Sequence, residues 1–129
     1  MLNYQELEKI IEEAYTSNVS IEDAEKNAAL FLSAQLQISK RLHQVDLDSR
    51  MRKTGLKTIK AGVYLEEVKK SDKKPSDTML EQIINSSQLV KVSQDQFDES
   101  EAELAELQRI FGVMKEAHVY FRTMSKREV

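Results

Sequence analysis

The sequence predicts an all-α protein, an elongated helical hairpin or small bundle of long amphipathic helices. Three observations carry that prediction. Apolar residues recur at three- and four-residue steps along most of the chain, the spacing of a single helix face. Only three glycines and one proline occur among 129 residues, too few for an all-β domain with many tight turns. In the last third, acids come early and bases late, the polarity that offsets a helix dipole.

The first helix is expected from about Tyr4 to Tyr15. Asn3 followed by Glu6 has the spacing of a capping box, and Tyr4, Leu7, Ile11 and Ala14 share one face. Residues 16–20 read as a turn, with Ser20 as the next N-cap and Glu22 and Asp23 in the first turn after it. From Ile21, the residues Ala24, Ala28, Phe31, Gln35, Ile38, Leu42 and Val45 form a heptad-like seam. Alanines at 24, 28, 29 and 34 would let a neighbouring helix approach closely. The seam weakens over Asp46–Arg50 and resumes at Leu56, Ile59 and Val63. Gly55 and Gly62 each cost about 1 kcal/mol in a helix interior, so a break or kink is expected near Gly55. A strand hairpin over 58–68 is the alternative there.

A single helical domain spanning 1–129 is expected, with a charged linker at about 69–77 between an N-terminal and a C-terminal helical half. That linker holds the only proline. Ser76 or Asp77 caps the next segment, in which Leu80, Ile83, Ile84 and Leu89 make a short apolar face. Ser93 with Gln96 is a second candidate capping box, predicting a bend near Val92; one continuous helix from Asp77 is the alternative. In the last helix Phe97, Leu104, Leu107, Phe111, Met114, His118 and Phe121 step by sevens, threes and fours, with Ser100 at the missing position. Leu104, Leu107, Phe111, Met114, His118 and Phe121 are its oligomerisation and packing face. Seams of this length exceed what one compact core needs, so the chain is expected to form a homo-oligomer.

Composition narrows the function. Nineteen Lys+Arg stand against 22 Asp+Glu, a formal net charge of −3. The charge is uneven: residues 40–74 carry eleven cations and five acids, between acidic ends. Binding reads such a local field rather than the net charge. There is no cysteine, hence no disulfide, thiolate metal site or Cys nucleophile. No run is long enough to span a membrane, and the start does not read as a signal peptide, so a cytoplasmic protein is expected. His43 and His118 have no second histidine within a turn, so no metal site is expected. Phosphate-binding, dinucleotide-binding and nucleophile-elbow signatures are missing. Glu66 and Glu67 could pair as catalytic carboxylates, but solvated acidic helix faces give the same pattern. The expectation is a non-enzyme without cofactors.

One pattern has a specific physical reading. On a helix, Arg50, Lys53, Lys57, Lys60 and Tyr64 share a face, beside the apolar Leu56, Ile59 and Val63. Cations about 5–6 Å apart on a rod suit a phosphate backbone, and an aromatic beside them can stack on a base. Without a glycine-rich loop to read bases, such binding would be sequence-tolerant and salt-sensitive. A solvated face, or a patch docking the acidic regions of another subunit, would leave the same trace.

The order of parts resembles the recombination mediator family of T-even-type phages. The residues that carry the resemblance are Ala24, Asn27, Ala28 and Ala29 in a seam helix, then Arg52-Lys53-Thr54-Gly55-Leu56-Lys57 and Tyr64. The charged linker 69–77 and a final amphipathic helix from Val90 to Arg122 complete it. The pattern departs from the family at Gly55 and in the spacing of Lys60. The resemblance implies a non-enzymatic oligomer that binds single-stranded DNA and helps load a RecA-type recombinase past a single-strand-binding protein. Lys53 and Lys57, with Lys60, would contact the strand, and the last helix would drive assembly. The rival reading is a small helical adaptor or inhibitor that meets another protein complex through its charged faces, without nucleic acid.

Overall fold

The computed structural model describes residues 3–16, 18–70 and 75–126. Side-chain caps start three of its helices. Asn3 Oδ1 accepts the backbone N–H of Gln5 at 3.0 Å, opening α1 (Tyr4–Thr16). Ser20 Oγ accepts the N–H of Asp23 at 3.1 Å, opening α2 (Ile21–Lys70). Ser76 Oγ accepts the N–H of Met79 at 3.2 Å, opening α3 (Asp77–Ser86). Each satisfies a donor that the first helical turn leaves without an intrahelical partner. The last helix, α4, spans Gln88–Ser125. The fold is all-α, and its helices pack mainly as an α2–α4 hairpin.

Three readings need correction: a break near Gly55, the alternative strand hairpin over 58–68, and the bend near Val92. Helix α2 runs unbroken for 50 residues through Gly55 and Gly62, and no glycine has a positive φ. The propensity penalty of two glycines is small beside the burial along the seam, where Leu56 is 6% exposed. Residues 58–68 are therefore helical, and no strand occurs among the described residues. The bend expected near Val92 lies instead at Ser87, the one residue between α3 and α4. Asn85, Ser86 and Ser87 are consecutive poor helix formers. Ser86 Oγ donates to the Ile83 carbonyl at 3.1 Å, and the Ser87 N–H turns to the Ile84 carbonyl at 3.2 Å. Ser93 is not a cap but a buried residue inside α4.

The charged connection expected at about 69–77 is described only at its ends. Lys69 and Lys70 end α2, and Asp77 begins α3. Residues 71–74 lie outside the described residues.

The chain divides into two compact units, Met1–Leu42 with Glu106–Val129, and His43–Ala105. In the first unit, Leu7 of α1, Ala24, Ala28, Phe31, Ala34 and Ile38 of α2, and Ile110, Met114, Ala117 and Phe121 of α4 form one core. The rings of Phe31 and Phe121 stack with centroids 5.5 Å apart. Burying a side chain of this size contributes about 1.5–3 kcal/mol. Of the expected close-approach alanines, 24, 28 and 34 are buried and Ala29 is exposed. Gln35 is half-buried and donates through Nε2 to the Met114 carbonyl at 3.4 Å. His118 Nδ1 lies 2.9 Å from the Ala28 carbonyl. A carbonyl only accepts, so Nδ1 carries the proton.

The second unit is more polar inside. Its buried apolar residues are Val45, Leu56, Leu80 and Val90, and Ser49, Ser93 and Ser100 are buried among them. Ser100 Oγ donates to the Phe97 carbonyl at 2.6 Å, so the buried hydroxyl is satisfied within its own helix.

Candidate nucleic-acid interface on α2

Between Ser49 and Leu65, α2 carries five cations (Arg50, Arg52, Lys53, Lys57 and Lys60) and no carboxylate. Because α2 is continuous here, the four-residue step from Lys53 to Lys57 is a rise of about 6 Å along one face. Both lysines are exposed. Arg50 is also exposed, and its Nη2 lies 3.1 Å from Asp46 Oδ2, one turn back. An exposed pair of this kind is worth little and exchanges readily for another anion. Lys60 and Tyr64 are half-buried. The stripe is thus open at Arg50, Lys53 and Lys57 and turns toward the seam at Lys60 and Tyr64.

Arg52 does a different job. Continuing the seam from Val45 by four and three residues lands on Ser49 and then on Arg52. Its guanidinium is half-buried there, donating through Nη1 to the Gln96 carbonyl at 2.7 Å and pairing through Nε with Asp48 at 3.0 Å. Of the five cations, it is the one tied across to α4.

The surface beside the cations is uncharged, with small side chains at Thr54, Thr58, Ala61 and Gly62 between Met51 and Leu65. Met51, Thr54, Thr58, Ala61, Gly62 and Leu65 are all exposed. Thr54 Oγ1 donates to the Arg50 carbonyl at 3.1 Å and Thr58 Oγ1 to the Thr54 carbonyl at 3.0 Å. Nothing lies within 4 Å of the position a Cβ would take at Gly55 or Gly62, so packing within the chain does not require glycine at either position. The periodic signal was present in the sequence, as uncharged residues at three- and four-residue steps next to the basic stripe.

On α4 of the same unit, the charge is reversed. Residues 95–103 hold five acids (Asp95, Asp98, Glu99, Glu101 and Glu103) and no cation, and all five are exposed. Glu66 is exposed and Glu67 half-buried. No cluster of metal-ligating side chains occurs among the described residues.

No known family, characterised protein or solved structure matches this chain.

The functional reading therefore rests on the side chains themselves. The last-helix residues expected to pack or assemble divide by burial. Leu107, Met114 and Phe121 are buried, while Leu104, Phe111 and His118 are half-buried. Met114 and Phe121 belong to the core of the first unit, with Phe111 packed against it. Among the described residues, no helix is long and apolar enough to cross a membrane.

An ion pair on α4 shifts the titration of both its members. Glu106 and Arg109 meet at 2.6 Å on the surface of α4. The hydrogen bond from Arg109 holds the Glu106 carboxyl below its ordinary range, and the same bond raises the Arg109 guanidinium.

Proposed function

We propose that this chain is a non-enzymatic, single-stranded nucleic-acid-binding accessory protein of recombination or replication. The observation that carries this reading is the acid-free stretch of α2 from Ser49 to Leu65, with Arg50, Lys53 and Lys57 exposed in helical register. Phosphates would lie along these three cations, and the small uncharged residues Thr54, Thr58, Ala61 and Gly62 beside them would let a strand approach the helix closely. Lys60 and Tyr64 would border the path, Tyr64 offering the accessible part of its ring to a base. Contacts of this type fix a backbone without reading sequence. The resemblance to the phage recombination mediators supports an accessory role, with a RecA-type recombinase and a single-strand-binding protein as partners and several copies acting together in the cytoplasm.

The test is fluorescence anisotropy of a labelled single-stranded oligonucleotide at about 50 and 200 mM salt. Binding is expected to fall steeply at the higher salt. The paired change Lys53→Ala and Lys57→Ala should weaken it about tenfold or more and lower the salt slope by about 1.4, two phosphate contacts on a single strand. Its circular dichroism should match that of the unaltered chain. No binding at the lower salt overturns the proposal and leaves the basic face to an acidic protein surface, the adaptor reading.

A further inference from the structure

The first unit has a cavity of about 300 Å³ between α1 and the C-terminal part of α4. Its walls are Ile11 and Tyr15 from α1 and Val113, Tyr120 and Phe121 from α4, and among the described residues the one charged residue lining it is Glu116. The aromatic wall is anchored on one side and open on the other. Phe121 is 1% exposed and stacked on Phe31 in the core. Tyr120 meets Phe121 edge-on at 5.3 Å and stacks on Tyr15 at 6.4 Å. Tyr15 is 82% exposed and Tyr120 is 42% exposed, so the fold draws little burial energy from the Tyr15 ring. Glu116 has no ion pair among the described residues.

On the α1 side the charge is negative; on α4, Lys115 and Arg122 neighbour Glu116 in sequence, but neither lines the cavity. Helix α1 carries Glu6, Glu8, Glu12 and Glu13 against Lys9 alone. An anionic ligand is disfavoured beside Glu116, and a purely apolar one would make no use of that exposed carboxylate. A cation on an aliphatic stem fits each feature. Its stem packs on Ile11 and Val113, its head lies over a phenol face, and Glu116 balances the charge. Among protein side chains, arginine matches best, because its planar guanidinium stacks on an aromatic ring while pairing with a carboxylate.

We infer that the cavity lined by Tyr15, Tyr120 and Glu116 is a docking site for an arginine side chain of a basic segment on a partner protein. The site uses none of the α2 cations, so it stands or falls apart from nucleic-acid binding.

The test is an amide NMR titration of the full chain at about 50 mM salt, with three capped hexapeptides carrying two arginines, two lysines or two citrullines in place of one another. The arginine peptide is expected to shift the amides of Tyr15, Glu116 and Tyr120 first. The citrulline peptide, which keeps the shape and loses the charge, should bind about tenfold more weakly or not at all. Tyr15→Ala removes an exposed ring without changing charge and should weaken the arginine peptide about fivefold, as should Glu116→Gln. Glu99→Gln, on the acidic run of the other unit, should leave it unchanged. Shifts spread over every acidic stretch, equal binding of the lysine and arginine peptides, or full affinity in folded Tyr15→Ala would each overturn the inference in favour of unspecific charge attraction.

Discussion

The guanidinium of Arg52 donates to the main-chain carbonyl of Gln96 at 2.7 Å, linking α2 to α4 at a seam position where the heptad pattern calls for an apolar side chain. The same guanidinium pairs with Asp48 at 3.0 Å. Among the cations of the basic stretch, Arg52 serves the packing of the helices and not the outward face.

A test of that division replaces Arg52. Arg52→Ala removes the cross-helix bond and is expected to cost about 1 kcal/mol in denaturant unfolding. Arg52→Leu puts an apolar side chain on the seam and should recover that loss and add about 1 kcal/mol, since apolar substitutes often outperform partly buried charges. Oligonucleotide affinity should change less than twofold in either variant, roughly the effect of a small shift in distant charge. A tenfold loss of binding in Arg52→Leu would show that this guanidinium meets phosphate after all.

Gly55 and Gly62 give a prediction of the opposite sign. Both are helical, and neither has an atom within 4 Å of where a Cβ would stand. Gly55→Ala and Gly62→Ala should each raise stability by about 1 kcal/mol, through higher helix propensity and a less flexible unfolded chain. Midpoints in urea check this. If the two changes stabilise the chain and weaken oligonucleotide binding, the small size of these residues matters for close approach.

Glu106 offers a pH test. Its folded-state pKa is lowered, chiefly by the hydrogen bond from Arg109. The stabilisation it brings is therefore present above the ordinary carboxylate range and lost as pH falls through the depressed value. Carboxyl-detected NMR titration should find its midpoint below that of an ordinary glutamate. Arg109→Ala should restore it, with little change in thermal stability near neutral pH, because both side chains are more than half exposed.

Much of the fold was legible in spacing alone. The run Ala24, Ala28, Phe31, Ile38 and Val45 marks the buried face of α2, and the steps from Phe97 to Phe121 mark that of α4. Ser20 and Ser76 announce their helices because each offers a hydroxyl where an unpaired N–H needs one. Continuity through Gly55 was not legible, since local propensity argues against it and only burial of the flanking seam outweighs it. The break at Ser87 had a local signal, three consecutive residues whose side chains compete for the backbone, but Ser93 and Gln96 offered a motif of equal weight. The role of Arg52 could not be read from α2, because its acceptor is a carbonyl 44 residues away. For the candidate site, Arg50, Lys53 and Lys57 lie open as periodicity suggests. The half-burial of Lys60 and Tyr64 depends on packing that one helix's spacing does not reveal.

The sparse apolar interior of the second unit bears on how the molecule breathes. Val45, Leu56, Leu80 and Val90 are its buried hydrophobic residues among those described, while the first unit carries a connected core from Leu7 to Phe121. Regions with few buried apolar contacts open at lower free energy than the rest of a chain. Amide protons of α2 beyond His43 should therefore exchange with deuterium sooner than those of Ala24–Ile38, although both belong to one helix. The helix face offered to phosphate would then be carried on the more readily opened part of the molecule, and a bound strand would register there as slowed exchange.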